Sequence, residues 1–114
     1  MSFKLKQSDT FCWPVKVTVP RDGGDFEVGT FDAIFKRLPR SEAELLGTRV
    51  MSGDLSGLDA VRSILVGWKG VLDEGDEIPF SETNREKLLE VTGVAVALFR
   101  VFTEANNGVA QAKN

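Results

Sequence analysis

Two stretches of alternating apolar and polar residues, joined by the turn sequence Asp22-Gly23-Gly24, constrain the fold of this chain more than any other feature. In the first stretch every second residue is apolar: Trp13, Val15, Val17 and Val19. The second stretch runs from Phe26 to about Leu38. Its two predicted sides consist of Phe31, Ala33, Phe35 and Arg37 on one side and Asp32, Ile34, Lys36 and Leu38 on the other. A period of two is typical of half-buried strands, and Asp-Gly-Gly supplies the positive φ angles of a tight turn. The sequence therefore predicts an antiparallel β-hairpin over residues 11–38.

Two residues of the first predicted strand carry further information. Pro14 has no N–H to donate to a neighbouring strand, so we expect it at a sheet edge or a bulge. Cys12 is the only cysteine, which rules out an intrachain disulfide. We expect Cys12 to be a small buried residue of the strand and not a reactive thiol, since it has no basic neighbour.

After Pro39 the spacing of apolar residues becomes helical. Ser41 and Glu44 predict a capping box at the start of a short helix that ends near Val50 or Met51. A longer second helix is predicted to begin between Asp54 and Gly57 and to end around Trp68. Its apolar stripe has spacings of three and four residues and consists of Leu58, Val61, Leu65 and Trp68.

Two more helices are predicted after an acidic turn. Val71-Leu72 and Glu77-Ile78 can pair briefly across that turn, and Ser81 is a good N-cap for a third helix ending near Thr92-Gly93. The last helix is predicted from about Gly93 to Ala105, and it is apolar on most sides. Such a helix must be covered on more than one side, either by the strands of the same chain or by another molecule.

Together these elements predict an α+β fold, in which an N-terminal antiparallel β-hairpin is followed by about four short helices. At 114 residues the chain has the length of one domain. We predict a globular domain over residues 11–105, with the hairpin in 11–38 and a mainly helical part in 41–105. Residues 1–10 are predicted to form an N-terminal arm, and residues 106–114 a flexible tail.

The composition excludes several kinds of function. The chain has no histidine, so catalytic arrangements that use histidine and most zinc sites are impossible. The net charge is −3, and the densest basic group is only Lys36, Arg37 and Arg40, which disfavours nucleic acid as a partner. No stretch approaches the ~20 apolar residues of a membrane span, so we expect no membrane partner. We expect neither a cofactor nor a resident metal.

The acidic turn contains the only concentrated carboxylates, Asp73, Glu74, Asp76 and Glu77. A calcium loop that began at Asp73 would need glycine at its sixth and glutamate at its twelfth position, but Ile78 and Asn84 stand there. A solvated turn is the simpler interpretation. A small carboxylate enzyme or metal binder remains an alternative, although a chain of this size offers little room for the cleft that paired catalytic carboxylates need.

The order of motifs along residues 11–114 resembles the tail assembly chaperones of long-tailed bacteriophages. The resemblance lies in four segments: Phe31 to Leu38, Ile64 to Val71, Asp73 to Ser81, and Ala97 to Phe102 with Ala105. The combination of Val-Gly-Trp-x-Gly-Val, an acidic turn and Pro-Phe-Ser, in that order, is distinctive. Residues 42–58 are too generic to add to it.

The resemblance implies a protein without catalytic activity, made in the cytoplasm of the infected bacterium. Chaperones of this family bind the long tape measure protein, keep it soluble and help to recruit tail tube subunits. They are absent from the mature virion. Many also have a longer, frameshifted form whose added domain is thought to reach the tail tube protein. The almost all-apolar last helix could also give self-association, so we expect a homo-oligomer.

Five residues are candidates for contacts with a partner or a second copy, chosen because the chain has more apolar residues than a small core needs: Trp68, Phe80, Val96, Phe99 and Phe102. For Trp68, packing in the core is the competing interpretation. The main alternative function is a small regulatory or adaptor module, which would bind a folded partner by strand addition at the hairpin edge, through Val15 to Val19.

Overall fold

A long hairpin opens the chain in the computed structural model, which describes residues 2–108. Strand β1 (Thr10–Arg21) pairs antiparallel with β2 (Asp25–Lys36), from Thr10 opposite Lys36 to Arg21 opposite Asp25. Gly23 and Gly24 have φ angles of 89° and 79°, which only glycine adopts at low cost. The hairpin predicted from the sequence is therefore confirmed.

Four helices and three short strands follow the hairpin within residues 2–108. Their bounds are α1 (Arg40–Ser52), α2 (Gly57–Ile64), β3 (Leu65–Lys69), β4 (Leu72–Asp73), β5 (Asp76–Glu77), α3 (Glu82–Leu89) and α4 (Val94–Asn106). Strands β4 and β5 form the small hairpin expected across the acidic turn. The predicted fold class, α+β with an N-terminal antiparallel hairpin and four helices, is thus confirmed.

The second helix is shorter than predicted, because the residues up to Trp68 form β3 instead. Leu65 has extended backbone angles (φ −87°, ψ 114°), and the following residues pair antiparallel with β2, with Trp68 opposite Ala33. The sheet order is β1-β2-β3. Val66, Gly67 and Trp68 are weak helix formers, so pairing with the edge of β2 outweighs continuation of the helix. The prediction that the helix extends to Trp68 was wrong.

One predicted helix cap is present and another is not. The Ser81 hydroxyl accepts a hydrogen bond from the Asn84 N–H at 3.0 Å, as expected for an N-cap. The capping box at Ser41 is absent, because α1 begins two residues earlier than this cap requires and has Pro39 at its N-cap position. The Glu44 carboxylate forms an ion pair with Arg40 at 3.3 Å, whereas in a capping box it would accept a hydrogen bond from the Ser41 N–H.

The core lies between one face of the sheet and helices α2 and α4. Its members come from alternate strand residues and from one side of each helix, and include Val15, Val17, Ala33, Phe35, Val61, Ile64, Leu98, Val101 and Phe102. Cys12 alternates with Phe11 and Trp13, so its side chain lies on the opposite face and is exposed. The expectation of a buried Cys12 was therefore wrong.

Both ends of the described chain meet the hairpin at its base. In the arm, the Asp9 carbonyl accepts a hydrogen bond from the Arg37 N–H at 2.8 Å, and residues 2–9 are exposed. Helix α4 continues to Asn106, the first residue of the predicted tail, while 109–114 lie outside the described residues. Within residues 2–108, none of the helices has both the length and the apolar character required to cross a bilayer.

Candidate interaction surface

An apolar groove of about 190 Å³ lies between α1 and α4. We call it the α1/α4 groove; it is lined by Ala43, Leu46, Gly47, Val50, Met51, Phe99, Phe102, Thr103 and Asn107. No charged side chain lines it. Because the groove is small and mainly apolar, a single bulky apolar side chain fits it better than a small polar ligand does.

Helix α1 has no buried residue, although it carries several large apolar side chains. Leu45 is 60% exposed and Met51 is 91% exposed. A surface helix of a globular protein normally buries an apolar stripe against the core. The exposed apolar residues of α1 therefore add contact area beside the α1/α4 groove.

Three of the five predicted contact residues belong to α4, and they differ in accessibility. Val96 is 71% exposed, whereas Phe99 is half-buried and lines the α1/α4 groove. Phe102 is 2% exposed, and its ring lies 5.4 Å from that of Phe35 in the core. In the monomer, Val96 and Phe99 are accessible to a partner, while Phe102 forms the floor of the groove.

The other two predicted contact residues form a separate pair. Trp68 is 7% exposed, and its ring packs against that of Phe80 in an edge-to-face arrangement with centroids 5.0 Å apart. The Trp68 indole Nε1–H donates a hydrogen bond to the Ile78 carbonyl at 2.9 Å. These contacts hold the segment after β5 against β3. Trp68 therefore packs in the core, which was the competing interpretation of this residue.

The acidic turn is held by its own backbone and by one of its carboxylates. Glu74 and Gly75 have positive φ angles of 52° and 87°, which close the turn. The Glu77 carboxylate accepts a hydrogen bond from the Gly70 N–H at 2.8 Å. Across residues 2–108, no group of three or more histidine, cysteine or acidic side chains has an arrangement that could hold a metal ion. The geometry gives this turn a structural role.

The strongest charge cluster joins α2 to α3. The Arg62 guanidinium lies 2.7 Å from both the Glu86 and the Asp59 carboxylates, and Arg85 lies 3.0 Å from Glu86. The hydrogen bonds from Arg62, with a smaller effect of Arg85, lower the pKa of Glu86 to about 2. Hydrogen bonds to Glu86 and Asp59 raise the pKa of Arg62. Because these charges are paired with one another across the two helices, the cluster positions α3 against α2.

The list of predicted contact residues leaves out two exposed apolar groups. At the tip of the hairpin Phe26 is 58% and Val28 is 56% exposed, and in the arm Phe3 is 86% and Leu5 is 93% exposed. The alternation of β2 already indicated the first pair, since Phe26 and Val28 have the opposite parity to the core residues of that strand. Phe3 and Leu5 alternate with lysines, a weak strand pattern without an obvious partner.

Comparison with protein-family models, with curated proteins and with solved structures found no match to the chain. Function must therefore be argued from the residues and surfaces described above.

Proposed function

We propose that this protein is a non-catalytic tail assembly chaperone of a long-tailed bacteriophage or prophage. It binds and solubilises the tape measure protein in the host cytoplasm, helps to recruit tail tube subunits, and is left out of the mature virion. The observation that carries the proposal is the order of the motifs: Phe31 to Leu38, Ile64 to Val71, and the acidic turn followed by Pro79-Phe80-Ser81.

The exposed apolar surface of α1 and α4 supports this proposal. A chaperone that keeps a helix-rich client soluble needs apolar contact area, since amphipathic helices bind through their apolar faces. Met51 and Val96 are strongly exposed, and Phe99 lies half-buried between the two helices. We propose this surface as the client-binding site.

Co-expression with the long, helix-rich protein encoded beside this gene tests the function. We expect that otherwise insoluble protein to become soluble and to elute with this chain in size-exclusion chromatography with light scattering. If the neighbour stays insoluble in the presence of abundant folded chain, the chaperone function is wrong.

Matched variants test the binding surface. Val96→Asp and Phe99→Asp should reduce recovery of the client, because each puts a carboxylate in an apolar contact. Leu72→Asp changes a residue of similar exposure in β4, 63%, and should leave recovery unchanged. Equal loss with all three variants would show that the α1 and α4 surface is not the binding site.

The adaptor function makes a different prediction for the same chain. It is favoured by the position of β1 at an edge of the three-stranded sheet. Against it, Val15 and Val17 are buried in the core, and Pro14 and Pro20 remove two N–H donors from β1. A strict monomer whose binding of a folded partner depends on Val15 to Val19 would establish the adaptor function instead.

A further inference from the structure

The outer half of β2 has an unpaired edge. Strand β3 pairs only with the segment from Asp32 to Phe35, so Asp25–Phe31 pairs with β1 alone among the strands of residues 2–108. Residues 25–30 are all exposed. An edge of this kind presents backbone groups that can bind one more strand.

Side chains along this edge alternate between acidic and apolar. Asp25 and Glu27 are acidic, while Phe26 and Val28 are large, apolar and more than half exposed. Because successive side chains of a strand point to opposite faces, the edge has one acidic face and one apolar face. An incoming strand that matches it must alternate between basic and apolar residues.

The N-terminal arm of this chain has that alternation in Phe3-Lys4-Leu5-Lys6. Phe3 and Leu5 are the most exposed aromatic and aliphatic side chains of the arm, at 86% and 93%. In an antiparallel arrangement, Phe3 lies opposite Val28 and Lys6 opposite Asp25. Every pair in that register is then either apolar with apolar or basic with acidic, which favours cross-strand pairing.

The arm cannot adopt this register within one molecule. Thr10 lies opposite Lys36 at the base of the hairpin, and Asp25 is about 37 Å from Lys36 along β2 at the ~3.4 Å rise of a strand. The arm from Thr10 back to Lys6 spans at most about 14 Å, even fully extended. The occupant of the edge must therefore come from another molecule.

We propose that the arm segment Phe3–Lys6 of one copy adds as an antiparallel strand to the Asp25–Val28 edge of a second copy. The contact joins different surfaces of the two copies, so two copies can exchange their arms in a closed dimer, and an unreciprocated contact repeats from copy to copy in a ring or a filament. The arm must straighten its bend at Leu5 and Lys6, where the Gln7 side chain donates to the Lys4 carbonyl at 2.7 Å. On the edge, the Phe26 N–H must exchange its bond to the Asp25 carboxylate for one to the incoming strand.

Charge reversal on both partners tests this contact in the full-length chain, by size-exclusion chromatography with light scattering over a range of concentrations. The wild type should self-associate. Lys4→Glu with Lys6→Glu, and separately Asp25→Lys with Glu27→Lys, should each weaken self-association by about tenfold or more, since two attractive pairs become repulsive. An equimolar mixture of the two variants should associate like the wild type, because each arm then meets an edge of opposite charge.

Controls separate this contact from general charge effects and from misfolding. Lys16→Glu with Lys87→Glu makes the same change in net charge as the arm variant, at exposed positions elsewhere, and should leave association unchanged. Because Asp25 also pairs with Arg21, Glu27→Lys alone serves as a second edge variant that keeps this pair. Circular dichroism verifies that each variant is folded.

A wild-type chain that stays monomeric at all concentrations overturns the proposal, and so does self-association that the arm and edge variants do not change. Weakening without restoration in the mixture also overturns it, because the effect would then not arise from this pairing. The result is independent of the chaperone function, since self-association is measured without the client.

Discussion

The side-chain amide of Asn106 forms both of its hydrogen bonds with the backbone of Leu38. Asn106 Oδ1 accepts from the Leu38 N–H at 3.0 Å, and Nδ2 donates to the Leu38 carbonyl at 3.1 Å. Leu38 is the second residue after the end of β2, and Asn106 is the last residue of α4. This pair of bonds joins the C-terminal helix to the base of the hairpin.

Asn106→Ala should reduce the free energy of unfolding by about 1–2 kcal/mol, because two partly buried hydrogen bonds are lost. Asn106→Asp keeps the acceptor but places a carboxylate oxygen beside the Leu38 carbonyl, and should cost at least as much at neutral pH. Urea unfolding followed by circular dichroism measures both. The exposed neighbour Asn107 provides the control, since Asn107→Ala should change stability by less than about 0.5 kcal/mol. Equal effects at 106 and 107 would mean that the bonds to Leu38 contribute nothing.

Gly67 permits a close approach between β3 and β2. A Cβ atom at this position would lie 3.1 Å from Cδ1 and 3.3 Å from Cβ of Ile34. Gly67→Ala should therefore destabilise the fold by about 1–2 kcal/mol through overpacking. Combining it with Ile34→Ala should cost less than the sum of the two single changes, because the smaller side chain relieves part of the contact. A double-mutant cycle that is additive within ~0.5 kcal/mol would contradict this account.

Glu86 should make stability depend on pH in the acid range. Its pKa is lowered from 4.5 to about 2 by Arg62 and Arg85, so the unfolded chain binds this proton more readily than the folded one. The stabilisation is then fully present above about pH 4.5 and is lost as the pH falls towards 2. In urea titrations across that range, Glu86→Gln should lose less stability than the wild type. Parallel pH profiles for the two proteins would rule out this contribution.

Substitutions at two residues of α4 should differ strongly in their effect on stability. Phe102→Ala removes a buried ring that packs on Phe35 and should cost about 3–5 kcal/mol of stability. Val96→Asp alters a largely exposed side chain near the helix N-terminus and should change stability by less than about 0.5 kcal/mol. Thermal and urea unfolding measure both. A large loss of stability with Val96→Asp would mean that its effect on client binding reflects unfolding.

The sequence predicted those elements whose signals are local. The period of two in β1 and β2, the glycine turn between them, and the Ser81 cap each depend on residues close together in the chain. The end of α2 could not be predicted in this way, because β3 exists only through pairing with Ala33 and its neighbours, 30 to 37 residues earlier in the chain. The capping box expected at Ser41 does not form, because the helix begins directly after Pro39.

The candidate surfaces were predicted only in part. Apolar excess drew attention to Val96 and Phe99, which are accessible, but equally to Trp68 and Phe102, which are buried. The sequence pattern of α4 does not distinguish these cases, because accessibility depends on which side of the helix meets the sheet. The exposed apolar residues of α1 and of the hairpin tip were not among the predicted contact residues, because a sequence pattern does not show which apolar side chains the rest of the fold leaves uncovered.

The bonds between Asn106 and Leu38 also determine where the two ends of the folded region lie. Thr10 pairs with Lys36, and a cleft of about 1160 Å³ is lined by the arm residues Phe3 and Leu5 together with Asn106 and Gly108. The ends of the fold are therefore neighbours, a geometry that tolerates circular permutation. A chain whose ends are joined by a short glycine-serine linker and reopened after the exposed Gly53 should fold with an unchanged circular dichroism spectrum. Any domain fused after α4 would begin beside the N-terminal arm. The fused domain and the arm would then lie on the same side of the molecule.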